Sequence, residues 1–345
     1  MPETSPSSPR FRKTIAAGAI AVLGLALAGC GTSTASDGTA GPGSQSVNLQ
    51  LRFTPSVQFA GSYAADHFGY YENESVDVTM TAGGASIAVE PLLVQGTADI
   101  AMSSPGTTAR AVSEGAPLTI IAAGNQSSAG AIVSLADDPI ERVEDLAGKR
   151  IGVVTSNTSV GHFLTSNGIK ASDVEIVPIQ GDATPLINGQ VDGMYGLVTS
   201  QVVALELQGY EPVALRFSDN GMDSLDLTYV VPTADLEDAA KRETIIHFLM
   251  AEILGWESAV EDPAGIADIV VAEYAAGLGL DVAQQSAQAS AQVQLVRPDG
   301  STPVLTMSSE RIADTLATLE AQSIKADASL FDASLVAEAY ARLGR

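Results

Sequence analysis

Residues 47–53, VNLQLRF, and residues 76–81, VDVTMT, are short runs rich in β-branched and apolar residues. Between these two runs, residues 59–68 show the periodicity of a helix. A strand, a helix and a second strand in this order are typical of parallel strands joined by helical crossovers. The pattern continues with strands predicted at DIAMS (99–103), LTIIAA (118–123) and AIVSL (131–135) and helices at 87–93 and 107–113. This part of the chain therefore predicts one α/β lobe.

A second series of alternating strands and helices begins after Pro139. Its strands are predicted at RIGVV (150–154), VEIVPI (174–179), DGMYGLV (192–198) and PVALRF (212–217), and its longer helices at 159–167 and 201–208. After the extended run LDLTYVV (225–231), the periodicity is helical to the end of the chain. We therefore predict an α/β, bilobal fold with two parallel-sheet lobes, joined by a two-crossing hinge, and with the helical C-terminal part packed on lobe 1.

The expected chain crossings, near residues 134–139 and near residues 225–232, set the lobe boundaries. Residues 47–135 and 228–345 are assigned to lobe 1, and residues 136–227 to lobe 2. A pair of crossings leaves little torsional freedom, so the lobes are expected to close over a ligand as two bodies on a hinge.

The amino-terminal residues have the parts of an export signal: Arg10, Arg12 and Lys13 precede an apolar run over residues 14–29. A helix over that run would reach about 24 Å, less than the roughly 30 Å of a hydrocarbon core, which favours a signal peptide over residues 1–29. The run ends in LAGC (27–30), which resembles the lipobox of bacterial lipoproteins. That resemblance implies a diacylglycerol on Cys30, which would become the first mature residue. The alternative is ordinary secretion with a free thiol.

Residues 30–46 are small, polar and rich in glycine, with nothing to bury. They are expected to form a lipidated flexible tether between the anchor and the folded body. The sequence thus predicts a protein at the cell membrane, lipid-anchored on the extracytoplasmic face.

Composition excludes several classes of site. With one cysteine in 345 residues, the chain cannot form an intrachain disulfide or a cysteine-based zinc or iron–sulfur site. The formal net charge of −24 argues against a nucleic-acid partner, which would require basic patches. His67, His162 and His247 lie on separate predicted helices without metal-ligand spacing, and no GxSxG, HExxH or phosphate-loop motif occurs. We therefore predict no metal, no cofactor and no enzymatic activity.

Four stretches resemble the substrate-binding proteins of thiamine-pyrimidine-precursor and riboflavin ABC importers, to which nitrate, taurine and alkanesulfonate binders are related. They are FTPSVQFAGSYAADHFGYYENESVDVTMTAGG (53–84), LLVQGTADIAMSSP (92–105), VEDLAGKRIGV (143–153) and INGQVDGMYG (187–196). The resemblance covers roughly residues 47–263 and departs at residues 74–77, ESVD, where the family usually carries Gly-Leu-Asp-Val. It implies a type II periplasmic-binding-protein fold that clamps a small molecule between lobes and delivers it to permease and ATPase subunits.

Two other functions remain open under the same resemblance. The family includes enzymes that make the thiamine pyrimidine from an active-site histidine, with iron and a cysteine-rich motif; that motif does not occur here. A lipoprotein that only senses its ligand for a receptor would have the same sequence features.

Candidate ligand-binding residues follow from topology, because ligands of open α/β sheets bind at the carboxyl ends of strands and at helix N-termini. For lobe 1 this gives Thr54, Gln58, Phe59, Gly83, Gly84, Ser103, Ser104, Asn125 and Gln126. For lobe 2 it gives Thr155, Ser156, Asn157, Thr158, Ser159, Gln180, Asp182 and Tyr195. Several of these residues have a structural alternative, since glycines permit turns, serines cap helices and Phe59 suits a core.

The residue types of these loops favour a heterocyclic ligand. Phe59 and Tyr195 could stack on a flat ring, while Gln58, Gln126 and Asp182 offer hydrogen bonds to ring nitrogens. A sulfonate-like anion would use the hydroxyls and amides of residues 155–159, but the selected loops contain no Lys or Arg. We therefore predict a neutral or cationic pyrimidine, flavin-like or related heterocyclic precursor, with sulfonate, taurine or nitrate as the alternative.

Overall fold

The computed structural model describes residues 44–84, 86–154 and 158–345. The signal peptide, the lipidation site at Cys30 and most of the tether predicted above lie outside these residues. Ten strands form within the described ranges, in chain order: β1 Gln45–Gln50, β2 Val76–Thr81, β3 Ile100–Ser103, β4 Leu118–Asn125, β5 Gly130–Leu135, β6 Arg150–Val153, β7 Glu175–Pro178, β8 Gly193–Leu197, β9 Pro212–Arg216 and β10 Asp226–Pro232.

The strands form two five-stranded sheets, which define two lobes. In lobe 1 the order is β2-β1-β3-β10-β4, and in lobe 2 it is β7-β6-β8-β5-β9. β1 pairs in parallel with β2 and β3, and β6 pairs in parallel with β7 and β8. β10 runs antiparallel to β3 and β4, and β5 runs antiparallel to β8 and β9.

The predicted bilobal α/β fold is confirmed, and the sheets are mixed rather than wholly parallel. The antiparallel strands β5 and β10 are the ones that directly follow the chain crossings between lobes. Most strands end at the edge that faces the other lobe, whereas a strand that follows a crossing begins at that edge. The two strands therefore run in the opposite direction to β3 and β8, their neighbours in the sheets.

The crossings lie at different residues from those predicted. Because β5 pairs with β8 and β9, residues 130–135 belong to the second sheet, although the sequence analysis places them in lobe 1. The first crossing is the short segment 126–129, and the second lies within residues 217–225, before β10 joins the first sheet. The run AIVSL was assigned by its position in the first series of strands, which carries no information about pairing partners.

Thirteen α-helices are described. They are α1 Ala60–His67, α2 Tyr70–Asn73, α3 Glu90–Val94, α4 Pro105–Ser113, α5 Ser159–Ser166, α6 Thr184–Ile187, α7 Val203–Leu207, α8 Thr233–Glu237, α9 Ala239–Glu261, α10 Pro263–Ile269, α11 Val282–Val296, α12 Ser309–Ala321 and α13 Ser334–Arg342. No helix in the described ranges is both long enough and apolar enough to cross a bilayer.

The carboxyl-terminal helices begin at polar side chains that accept hydrogen bonds from the first turn. Asp238 accepts from Ala240 N (2.9 Å) at α9, Asp281 accepts from Gln284 N (2.8 Å) at α11, and Ser308 accepts from Arg311 N (3.2 Å) at α12. Such caps satisfy amide groups that have no partner within the helix, which explains why these helices start where they do.

The core covers both faces of each sheet. In lobe 1 one face packs with α1, α9 and α13, and the other packs with α3, α4 and α12. The long helix α9 approaches α1 closely: a Cβ on Gly255 would lie 2.1 Å from the carbonyl oxygen of Gly61. The helical carboxyl-terminal part thus packs mainly on lobe 1, but α11 also contacts α7 of lobe 2.

Candidate ligand-binding site

A cleft of about 500 Å³ lies between the two lobes. This volume is within the range of roughly 300–1,000 Å³ that small-molecule sites occupy. Its walls are formed by the ends of strands from both sheets and by the helices α11 and α12. Among the described residues that line the cleft, Arg52 and Asp226 carry the charged side chains.

Arg52 and Asp226 form a bidentate ion pair on the lobe 1 side. Arg52 Nη1 donates to Asp226 Oδ1 at 2.7 Å, and Nη2 donates to Oδ2 at 3.2 Å. Nη1 also donates to the carbonyl oxygen of Ser103 at 3.3 Å. The side chains of Arg52 and Asp226 are 23% and 22% exposed, so the pair is accessible from the cleft and partly shielded from solvent.

Buried polar groups form hydrogen bonds next to the ion pair on the lobe 1 side of the cleft. The carboxylate of Glu90, which is 3% exposed, accepts hydrogen bonds from Ser103 Oγ (2.5 Å) and Thr108 Oγ1 (3.3 Å). The loop after β2 packs against the end of β1, because a Cβ on Gly83 would lie 2.2 Å from the carbonyl oxygen of Leu51. These contacts hold the backbone on both sides of Arg52.

The lobe 2 side of the cleft carries aromatic rings. Tyr195 and Phe217 both line it, with ring centroids 5.8 Å apart at an interplanar angle of 46°. Behind them, Phe163 stacks on Phe217 with centroids 4.1 Å apart. Lobe 2 therefore contributes aromatic surface to the same cleft that the lobe 1 ion pair lines.

Uncharged amides from α11 extend the lobe 1 wall. Gln292 Nε2 donates to the carbonyl oxygen of Gln58 at 3.1 Å and lies 3.4 Å from Asn125 Oδ1. Gln288, one helical turn away, also lines the cleft, as does Gln322, which directly follows α12. The cleft thus combines amides, hydroxyls and aromatic rings around a single neutral ion pair.

Asp223 joins the two crossing segments beside the cleft. Its Oδ1 accepts from Ser127 Oγ at 2.9 Å and from Ser128 N at 3.2 Å, both in the first crossing. Its Oδ2 pairs with Arg311 of α12, which also contacts Asp314 at 3.0 Å. One carboxylate therefore connects both crossings to a helix of lobe 1.

Five of the residues proposed from the sequence meet at the cleft: Gln58, Ser104, Asn125, Ser159 and Tyr195. They come from both lobes: Asn125 ends β4, Ser104 follows β3, Ser159 begins α5, Gln58 precedes α1, and Tyr195 lies within β8. The positions of Ser104 and Asn125 follow the rule that places ligand-binding residues at the carboxyl ends of strands.

Other proposed residues do not line the cleft, and several have structural roles instead. Phe59 is fully buried and packs edge-on against Tyr63, so it offers no stacking face to a ligand. Ser103 is buried against Glu90, and Gln126 donates to the carbonyl oxygen of Thr306 at 2.9 Å. The remaining residues described outside the lining are Thr54, Gly83, Gly84, Thr158, Gln180 and Asp182.

Asp182 is exposed, precedes the short helix α6 and does not line the cleft. Hydrogen bonds from Thr184, including one from its amide at 2.9 Å, lower the pKa of Asp182. Thr155, Ser156 and Asn157 lie outside the described residues.

The sequence analysis missed the ion pair and the glutamines. The sequence analysis places Arg52 in the first strand, but β1 ends at Gln50, so Arg52 lies in the following loop. Asp226 begins β10, and the rule for strand ends overlooks the starts of antiparallel strands. Gln288 and Gln292 had a usable signal: uncharged polar side chains spaced four apart on one helix face.

The histidines lie away from the cleft lining. His67 Nδ1 lies 2.9 Å from Glu273, and His247 Nδ1 lies 2.7 Å from Glu74. No group of three or more His, Cys, Asp or Glu side chains within the described ranges is arranged to hold a metal ion.

Comparison with known proteins identifies the family. The sequence model described as NMT1/THI5 like matches residues 56–266, which is more than half of the chain and includes parts of both lobes. The chain belongs to the NMT1/THI5-like family. The resemblance seen in residues 53–84 and in the three later stretches is thereby confirmed.

Relatives of this NMT1/THI5-like chain include both an enzyme and a binding protein. It is 26% identical over 147 residues to the 4-amino-5-hydroxymethyl-2-methylpyrimidine phosphate synthase of Schizosaccharomyces pombe, over 42% of each chain. It is 23% identical over 245 residues to the formylaminopyrimidine-binding protein of Halalkalibacterium halodurans, which covers 69% of this chain and 73% of the relative. The alignment with the synthase thus spans less than half of that enzyme.

The fold of this NMT1/THI5-like chain also occurs in a periplasmic protein. The aliphatic sulphonate binding protein SsuA from Escherichia coli superposes with a TM-score of 0.61 at 15% identity, covering 80% of this chain and 85% of SsuA. At this level of identity the likeness concerns the fold, which is that of periplasmic binding proteins.

Proposed function

We propose that this chain is an extracytoplasmic solute-binding lipoprotein. It captures a small molecule in the cleft between its lobes and delivers that molecule to the permease and ATPase subunits of an ABC importer. The observation that carries the proposal is the cleft itself, which lies between two lobes joined by two chain crossings. A hinge of this kind would let the lobes close over a ligand.

The preferred ligand is a neutral or cationic heterocycle, such as a pyrimidine or a flavin-like precursor. Tyr195 offers an aromatic face, and Asn125, Gln288 and Gln292 offer amides for ring nitrogens and exocyclic groups. The relative that binds formylaminopyrimidine supports this choice.

Uptake of a sulfonate-like anion is the second candidate. The loops selected from the sequence contain no Lys or Arg, but Arg52 lines the cleft, and arginine is well suited to an oxyanion. However, Asp226 already accepts two hydrogen bonds from the Arg52 guanidinium and offsets its charge.

Membrane attachment through Cys30 is part of the proposal. It rests on the LAGC sequence and on the glycine-rich segment that follows it. This arrangement would keep the binding lobes within reach of an importer in the same membrane.

The test combines identification of the ligand with a measurement of shape. Native mass spectrometry of the mature protein should reveal a co-purified small molecule, and calorimetry should rank pyrimidines, flavins, taurine and nitrate. Small-angle scattering should then give a smaller radius of gyration at saturation than without ligand. A radius that does not change would contradict closure, and turnover of the ligand by the purified protein would favour an enzyme.

A further inference from the structure

We propose that the Arg52–Asp226 ion pair determines which class of ligand the cleft accepts. The pair selects an uncharged ring edge that has a hydrogen-bond acceptor beside a donor, and it excludes monoanions. This inference rests on the proposed solute-binding function and assigns the ligand class to two residues.

The hydrogen bonds of the pair leave one donor side and one acceptor side available. A guanidinium has five N–H donors, and Arg52 uses three of them on Asp226 and on the carbonyl oxygen of Ser103. Among the described residues, none accepts a hydrogen bond from Nε–H or from the second Nη2–H of Arg52. Each Asp226 oxygen accepts one bond from Arg52 and retains a further lone pair. A ring nitrogen next to an exocyclic amino group, as in a 4-aminopyrimidine, matches this arrangement.

The charge of the pair acts in the same direction. Arg52 is neutralised by a carboxylate at hydrogen-bond distance, so an anion that approached the guanidinium would also approach Asp226. Like charges close together in a shielded cleft repel strongly. An uncharged ligand is not repelled by Asp226, and it can bind without breaking the Arg52–Asp226 ion pair.

The surroundings hold the pair in this geometry. Ser103, whose carbonyl accepts from Arg52, is fixed from behind by the buried Glu90. Asp226 lies opposite Asn125 in the pairing of β10 with β4. Asp226 belongs to the sheet of lobe 1, and Arg52, in the loop after β1, is held by its hydrogen bonds to Asp226 and Ser103. A ligand therefore meets a preorganised polar edge rather than two mobile side chains.

The experiment measures selectivity, which a purely structural ion pair would not control. Calorimetry is run with 4-amino-5-hydroxymethyl-2-methylpyrimidine and with methanesulfonate on wild type, Asp226→Asn and Asp77→Asn. Asp77 is an exposed residue of β2, so its variant reproduces the change in net charge away from the cleft.

For Asp226→Asn we expect pyrimidine affinity to fall about tenfold, because a charge-assisted acceptor is lost. Methanesulfonate affinity should rise about tenfold as the Arg52 charge becomes available, and this gain should shrink with added salt. Asp77→Asn should match wild type with both probes.

A second variant keeps the test decisive if Asp226→Asn does not fold. The double variant Arg52→Gln/Asp226→Asn has no charge at this position, so we expect weaker pyrimidine binding without any gain for methanesulfonate. Unchanged selectivity in these variants, with wild type binding the pyrimidine, would overturn the inference and leave solute binding intact. Wild type that binds methanesulfonate better than the pyrimidine would overturn it too. Binding of neither probe by wild type would contradict both the inference and the heterocycle proposal.

Discussion

Tyr195 is the residue from the sequence analysis whose aromatic ring reaches the cleft. Replacing it with alanine removes an aromatic contact worth about 1 kcal/mol beyond area burial, in addition to the burial itself. We therefore expect Tyr195→Ala to weaken heterocycle binding at least tenfold in calorimetry, and Tyr195→Phe to weaken it less. Tyr210→Ala, at a lobe 2 tyrosine that is 38% exposed and lies outside the lining, is the control. Unchanged affinity in Tyr195→Ala would rule out stacking.

Ser75 adopts a backbone conformation that favours glycine, with φ of 57°. It lies in the turn before β2, within residues 74–77, where the sequence departs from the Gly-Leu-Asp-Val of the family. A side chain in the left-handed region costs about 1–3 kcal/mol, whereas glycine there adds less than 1 kcal/mol of unfolded-chain entropy. Ser75→Gly should therefore raise the free energy of unfolding by about 1 kcal/mol in urea denaturation. Ser75→Ala, which keeps the Cβ, should show no such gain, and a glycine variant less stable than wild type would refute the argument.

Helix α9 carries a buried carboxylate at the contact between several elements. Glu252 is fully buried and accepts hydrogen bonds from Ser62 Oγ (2.7 Å), Tyr71 Oη (2.5 Å) and Tyr229 Oη (2.7 Å). Trp256 Nε1 donates in turn to Tyr229 Oη at 2.8 Å. Despite the three hydroxyl donors, burial raises the pKa of Glu252 above the ordinary value of 4.5.

A carboxyl group whose pKa is higher in the folded state binds its proton more tightly when folded. Its contribution to stability is complete below the unfolded pKa and is lost as pH rises through the folded pKa. The side chain introduced by Glu252→Gln cannot ionise. The unfolding free energy of this variant should therefore increase relative to that of wild type as pH rises above about 4.5. Urea denaturation across that range measures the gain. Glu261→Gln changes an exposed residue at the end of the same helix. The difference in unfolding free energy between this variant and wild type should be the same across the pH range. A constant difference between Glu252→Gln and wild type would contradict the raised pKa.

The crossing segments form a second polar junction, around Asp223. Asp223→Asn keeps the size of the side chain but removes the charge that pairs with Arg311 and accepts from Ser127. Because a partly buried charge loses its partner, we expect a loss of about 2 kcal/mol in unfolding free energy and a lower melting temperature. Asp314, the other partner of Arg311, has a side chain that is 46% exposed. Asp314→Asn should therefore lower the unfolding free energy by less than about 1 kcal/mol. Equal losses in the two variants would show that Asp223 has no special role at the crossings.

The elements of the fold could largely be predicted from local sequence. Each predicted strand has a counterpart, and the helix expected at residues 159–167 is observed as Ser159–Ser166. Pairing could not be predicted in the same way. The run at residues 131–135 has the same composition in either lobe, and its membership is decided by β8 and β9, far along the chain.

At the scale of the whole molecule, the cleft residues that could be predicted are those that follow the general rule about the ends of strands. Residues at the carboxyl ends of strands, such as Ser104 and Asn125, do line the cleft. Residues that depend on tertiary arrangement were missed: Asp226 faces the cleft because an antiparallel strand begins there, and Gln292 because α11 folds back over it. Phe59 shows the opposite error, since an aromatic residue near a strand end can equally well fill the core.

The proposed attachment to the membrane concerns the whole chain, since it depends on residues before the described body. Cys30 is the only cysteine of the sequence, so a thioether-linked diacylglycerol has no other sulfur to use. We expect the mature protein to begin at Cys30, to carry the added lipid mass, and to partition into the detergent phase. Cys30→Ala should release the protein into the aqueous fraction or leave the signal peptide uncleaved, because a single apolar anchor is then absent. Cys30→Ala should also bind ligand with wild-type affinity, since the cleft is built from residues of the folded body. A Cys30→Ala protein that remains in the membrane with a normal mature mass would show that LAGC is not a lipidation signal.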